Sequence, residues 1–205
     1  MNSRRLTIAA ALLVVALLAG GCRQKPTTDN SPDVPRATDP KTLTLRVTDL
    51  PAGASEGGSV FEATPENIDD LHARGELAND VYEVLKQSGF KSLATRSFKV
   101  GEDGTVLSTV ATFETVAQAE AYYDKTPPET TVEDAKKLGD ESFTEVINSG
   151  PPNDATDETV IDNRTVRTRI RVDNVIAEVV WTDDPNDVEI EEALDLAERA
   201  LSRLG

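Results

Sequence analysis

"TVRTRIRV" (Thr165–Val172) and "VIAEVVWT" (Val175–Thr182) flank the pair Asp173-Asn174, and this stretch decides the fold. Asp-Asn between two β-prone runs suits a two-residue type I′ turn. Such a loop pairs Val172 with Val175, Ile170 with Ala177, Thr168 with Val179 and Val166 with Trp181. Side chains alternate across a strand, so all of these share one face. On the opposite face Arg169 stands across from Glu178, a favourable cross-strand charge pair. Register and apolar pattern therefore agree, which specifies a hairpin with one buried side.

Downstream, Ile190, Leu194, Ala197, Leu201 and Leu204 recur at 4-3-4-3 spacing, which predicts an amphipathic helix over about Asp187–Leu204. Acids Glu189, Glu191 and Glu192 open it, and Arg199 and Arg203 close it, as the helix dipole favours. Upstream lies a second unit of the same kind. Phe98 and Val100 precede Gly101–Gly104, Val106–Phe113 returns, and Thr115 caps a short helix over Val116–Asp124 that Pro127-Pro128 terminates. Thr64-Pro65-Glu66 opens a helical stripe through Ile68, Leu71, Val81 and Leu85, divided at Gly75 and stopped at Gly89. Leu43, Leu45 and Val47 alternate with polar residues and predict a first strand, and Phe143–Ile147 a short further one. "PPNDATDET" (151–159) reads as an exposed loop. The expectation is an α+β fold, an antiparallel sheet of about five strands with helices packed on one face, built from two hairpin-helix units.

The N-terminal residues read differently. Arg4 and Arg5 precede 14 uncharged residues, Leu6–Ala19, followed by Gly20, Gly21 and the only cysteine, Cys22. That run is shorter than the roughly 20 apolar residues of a membrane span but matches a signal-peptide core of about 7–15 residues. Ordinary secretion fits better than the twin-arginine route, because Leu6-Thr7-Ile8 continues the arginine pair poorly. A single cysteine has no intramolecular disulfide partner, and the single His72 lies in an unrelated helical segment. Cys22 is therefore expected to be a lipidation site and the chain's membrane attachment. Residues 1–21 form the signal peptide. Residues 22–40 form the anchor and a proline-rich tether that lacks core-forming residues. Residues 41–205 form one α+β extracytoplasmic domain.

The formal charge is −16, and loss of Arg4 and Arg5 with the signal moves it to −18. A chain of that sign repels nucleic acid, which is excluded as a partner. Arg167, Arg169 and Arg171 form a local basic strip on one strand face and are the candidate docking residues for an anionic partner. His72 lacks a second histidine to build a zinc site. Asp183, Asp184, Asn186, Asp187 and Glu189 are oxygen-rich but lack the glycine and terminal glutamate of an EF-hand, and Asp187 reads as a helix cap instead. Asp140, Glu141 and Glu145 could act as general acid and base only if brought into one cleft. No catalytic residue, metal ligand or cofactor is assigned.

Four stretches, "LTLRVTDLPAG" (43–53), "SGFKSLATRSF" (88–98), "LGDES" (138–142) and "VDNVIAEVVW" (172–181), together resemble lipid-anchored α+β domains of high-GC Gram-positive bacteria, distantly PsbP-like or LpqN-like. The resemblance implies a cell-surface accessory or binding module, and the expectation for this chain is a non-enzymatic module that binds a protein or an apolar envelope ligand. The readings of another class are a carboxylate-based extracytoplasmic hydrolase and a structural envelope protein. Replacing Cys22 by serine is expected to move the protein from the membrane fraction into the medium, or to block its processing. Fractionation with an immunoblot reads the outcome, and unchanged membrane association refutes the anchor.

Overall fold

The computed structural model describes residues 39–133, 135–149, 163–184 and 188–204. The signal peptide, Cys22, residues 22–38 of the tether, the 151–159 loop and the Asp187 cap lie outside the described residues. In chain order the elements are α1 (Pro40–Leu43), a 3-10 turn (Val47–Asp49), β1 (Ser55–Glu56), β2 (Phe61–Ala63), α2 (Ile68–Ala73), α3 (Asn79–Ser88), β3 (Phe90–Val100), β4 (Gly104–Phe113), α4 (Val116–Lys125), β5 (Glu141–Ser149), β6 (Asn163–Val172), β7 (Val175–Asp183) and α5 (Ile190–Leu204).

The α+β expectation holds. One antiparallel sheet runs in the order β1-β3-β4-β7-β6-β5, with β2 also paired to β3. Both hairpins form, and β4 against β7 joins them over Thr105–Thr182 to Thr112–Val175. The register read from the sequence is the one observed, from Val172–Val175 to Val166–Trp181. The turn is not type I′, however. Among the described non-glycine residues only Asp173 takes a left-handed φ, 52°, whereas type I′ requires two. Asn174 is instead fixed from outside the hairpin: its Nδ2 donates to the Phe113 carbonyl at 2.7 Å, and its own carbonyl accepts from the Phe113 amide at 2.9 Å.

Two details of the expected sheet change. The described residues form seven strands rather than about five, because β1 and β2 are too short to leave an alternating signature. Helices cover both faces rather than one. Val166, Val179 and Trp181 face α5 together with Phe98 and Val106. The alternate residues Ala111, Phe113 and Ile176 pack on Ala119 and Tyr122 of α4 and on Leu71 and Leu85 from α2 and α3. We call these the α5 face and the α4 face. α5 approaches closely because Ala193, Ala197 and Ala200 occupy its centre, with Ile190 and Leu201 only partly buried at the flanks.

The predicted strand at Leu43–Val47 does not form. Asp39 caps α1 by accepting from the Lys41 amide, Pro40 opens the helix, and a 3-10 turn follows. Leu43, Thr44 and Leu45 are buried consecutively while Val47 is exposed, so the alternation in the letters is not an alternation in space. The Leu45 amide finds its partner in Ser108 Oγ at 3.0 Å, and the segment crosses the α5 face beside α5. Arg203 Nε clasps Asp49 at 2.8 Å and secures it there.

The dividing role of Gly75 and the stop at Gly89 are observed, with φ of 72° and 68°. Thr115 and Gln118 form the capping box of α4. Phe98 is fully buried among Val106, Trp181 and Leu196 on the α5 face. Phe98→Ala is therefore expected to lower stability by about 3–5 kcal/mol in chemical denaturation.

Candidate functional site

The registers fix how side chains are arranged on the α4 face. One row across the sheet reads Ser97, Leu107, Val180, Arg167, Glu145; the next reads Thr95, Thr109, Glu178, Arg169, Phe143; a third reads Leu93, Ala111, Ile176, Arg171, Glu141. The helices α2, α3 and α4 sit over the third row. From the first two rows Leu107, Arg167, Glu145, Thr95, Thr109, Glu178 and Arg169 line the floor of an open concavity of about 860 Å³. Leu77, Val81 and Val84 form one wall, and Tyr122 with Lys125–Pro127 forms the other. The floor runs from hydroxyl and apolar side chains on β3 and β4 to charged ones on β7 and β6, with Glu145 and the apolar Ile147 on β5.

The three arginines of the strip share this face, as the alternation predicts, but their surroundings differ. Arg169 is buried. Its Nε donates to Glu178 Oε2 at 2.7 Å, and its Nη1 donates to the Thr126 carbonyl at 3.0 Å and to the Thr126 hydroxyl. Arg171 is equally buried, with its Nε on Glu141 at 2.9 Å and Nη1 on the Asp173 carbonyl at 3.2 Å. Glu120 and Asp140 complete its shell of acids, each at 3.5 Å. These two residues are structural cross-links. Arg167 and Arg169 both line the concavity, but only Arg167 does so with a quarter of its side chain exposed, 26%.

Arg167 Nε lies 2.5 Å from Glu145 Oε1, an ion pair whose N–H is not aligned on that oxygen. Glu145 is 1% exposed. A strap over the β5 edge holds it there: the Glu129 amide donates to Glu145 Oε2 at 3.0 Å, and the Val132 amide to the Thr144 carbonyl at 2.8 Å. The Arg167 and Arg169 guanidiniums both lie over the Phe143 ring, at 5.6 and 5.4 Å. Burial pushes the hydroxyl of Tyr122 above the usual phenol range, and burial with nearby Glu141 pushes that of Tyr123 up to about 12.

The remaining candidates are not gathered into this site. Asp140, Glu141 and Glu145 do not share a cleft: the first two surround Arg171, and four residues of extended strand place Glu141 and Glu145 about 13 Å apart. His72 is half-buried, stacked on Tyr82 at 4.1 Å with its Nδ1 3.3 Å from the Leu77 carbonyl. Tyr82 and Lys86 both bond Asp69, chiefly Lys86 holding that exposed carboxyl below its ordinary range. No metal-binding group of three or more His, Cys, Asp or Glu occurs among the described residues.

The sequence did not point to Glu145, Leu107, Tyr122 or the strap at Glu129 as parts of one site. Alternation along β5 could have placed Glu145 on the face of Phe143 and Ile147. Nothing local signals that β5 lies next to β6, or that the loop after α4 folds back over its edge.

No protein-family model matches the chain, and no curated protein does. Among solved structures, the fold is similar to that of the extracellular domain of PknH from Mycobacterium tuberculosis, with a TM-score of 0.50, 13% identity, and coverage of 80% of this chain and 95% of that one. An Rv0999 ortholog from Mycobacterium smegmatis aligns over 81% of this chain and 83% of its own at 17% identity, with a TM-score of 0.27 that carries no conclusion.

Arg169 is 7% and Glu178 20% exposed, so removing one partner strands a largely buried charge. Arg169→Met is expected to cost about 3–5 kcal/mol in denaturant unfolding, and the double variant Arg169→Met/Glu178→Met to recover most of that loss. Equal losses in the single and double variants contradict the assignment.

Proposed function

We propose that this chain is a lipid-anchored, extracytoplasmic binding module without catalytic activity, and that the concavity on the α4 face receives an apolar or envelope-derived ligand. The observation that carries this reading is the concavity. Its volume falls within the range of about 300–1,000 Å³ typical of small-molecule sites. Its lining combines apolar side chains with a few fixed polar groups, the usual composition of such sites. Leu107 and Ile147 are 36% and 43% exposed within it, apolar surface that a ligand would remove from water. An extracytoplasmic location is supported by the export pattern before Cys22 and by the likeness in fold to an extracellular domain. Against the hydrolase reading, Glu145 and Glu178 each face an arginine, an arrangement suited to balancing buried charge rather than to relaying protons.

Leu107→Arg places a long charged side chain on the concavity floor without touching either covered core. Native mass spectrometry of protein purified without detergent exchange is expected to show a bound species of a few hundred daltons on the wild type, and to find it missing from this variant. Identical spectra for the two proteins would falsify the assignment of the site.

A further inference from the structure

We propose that the ligand is a single-chain amphiphile with one anionic head, of the long-chain carboxylate class, and that Arg167 receives the head. This rests on the concavity being the binding site. A guanidinium offers five N–H donors in a planar fork. Arg169 commits all three of its nitrogens to Glu178 and Thr126, and Arg171 is ringed by three acids and a carbonyl. The closest approach of Arg167 to Glu145 is through Nε, and among the described residues nothing accepts a hydrogen bond from its Nη1 or Nη2. Those two nitrogens form the edge of the fork that matches a carboxylate in bidentate fashion. They belong to a residue lining the opening, where Lys125 supplies a second cation with no carboxylate partner among the described residues.

The apolar part of the ligand has a track. From Arg167 the floor passes to Leu107 two strands away, and Phe61 lies beyond on β2, one row over beside Thr95. Four strand spacings separate β6 from β2, about 19 Å of floor. Arg167 and Arg169 thus lie toward the β6 end of the floor and Leu107 and Phe61 toward the β2 end, the polarity of an acyl chain with an anionic head. Ile147 adds apolar surface at the β5 edge. Glu76, Asp80 and Glu129 also line the opening, although Glu76 is held by Arg74 at 2.7 Å. Their presence disfavours a second negative charge on the ligand, so a carboxylate suits the site better than a phosphate monoester.

The test uses the full chain with Cys22→Ser, so that no acyl group of its own can enter the site. Equilibrium dialysis measures binding of radiolabelled palmitate and of 1-hexadecanol, which keeps the chain but lacks the charge. Palmitate is expected to bind at least tenfold more tightly, and Arg167→Gln to abolish that preference while leaving hexadecanol affinity unchanged. Because Arg167→Gln strands Glu145, Arg167→Gln/Glu145→Gln repeats the comparison with the buried charge removed, and circular dichroism confirms folding. Equal affinities in the wild type, or a preference surviving in both variants, overturns the role of Arg167 but leaves the concavity as an apolar site. Binding of neither probe overturns the amphiphile. Binding of both probes to Leu107→Arg with undiminished affinity places them elsewhere and sinks the site together with the inference.

Discussion

The pairing of β4 with β7 is the constraint on which the rest of this structure depends. Each hairpin can form from neighbours in the chain, but only this ladder joins the two into one sheet. It is also where the sheet is covered on both sides. Val110 and Ala177 face α1 and α5, while Ala111 and Ile176 face α4. Burial from both sides withdraws the backbone groups of this pair from water and makes their mutual hydrogen bonding obligatory. Asn174 extends the join to the turn, tying one hairpin's loop to the last residue of the other's strand.

The two faces have opposite characters. The α5 face is filled: Phe98, Val106, Val166, Val179 and Trp181 meet the alanines of α5, and Leu45 fills in beside them. Its role is cohesion through buried apolar area. The α4 face is filled only over its third row. Where the helices stop, the floor carries guanidiniums and carboxylates that apolar helices could not cover without desolvating charge. Arg169 bridges the two regimes, since it fastens β6 to β7 and to the end of α4 while forming part of the floor.

That contrast also separates the two hairpin-helix units. In the first, the helix follows Phe113 and packs on the face toward which Phe113 points. In the second, α5 crosses to the opposite face to cover Trp181 and Val179. The units share an order of elements but not a packing arrangement: Phe98 and Val106 of the first hairpin face α5, away from the helix of their own unit. Charge makes the same point about the arginine strip. Three residues that are equivalent by alternation end in three environments, set by which acids and carbonyls the neighbouring elements bring to them.

What the sequence determined by itself is local and periodic. The register of β6 with β7, the Arg169–Glu178 pair, the Thr115 cap, the break at Gly75 and the stop at Gly89 follow from side-chain alternation, helical spacing and backbone preference. These forces act over a few residues, so the letters carry them. Tertiary structure alone decided that Leu43–Val47 is not a strand, since an amide partner on Ser108 and a capped proline outweighed its alternation. It alone decided that helices cover both faces, and that among the described residues Arg167 keeps free donors while Arg169 and Arg171 do not. Those outcomes turn on groups brought together from distant parts of the chain, and a charge's surroundings are a property of its neighbours in space rather than in sequence.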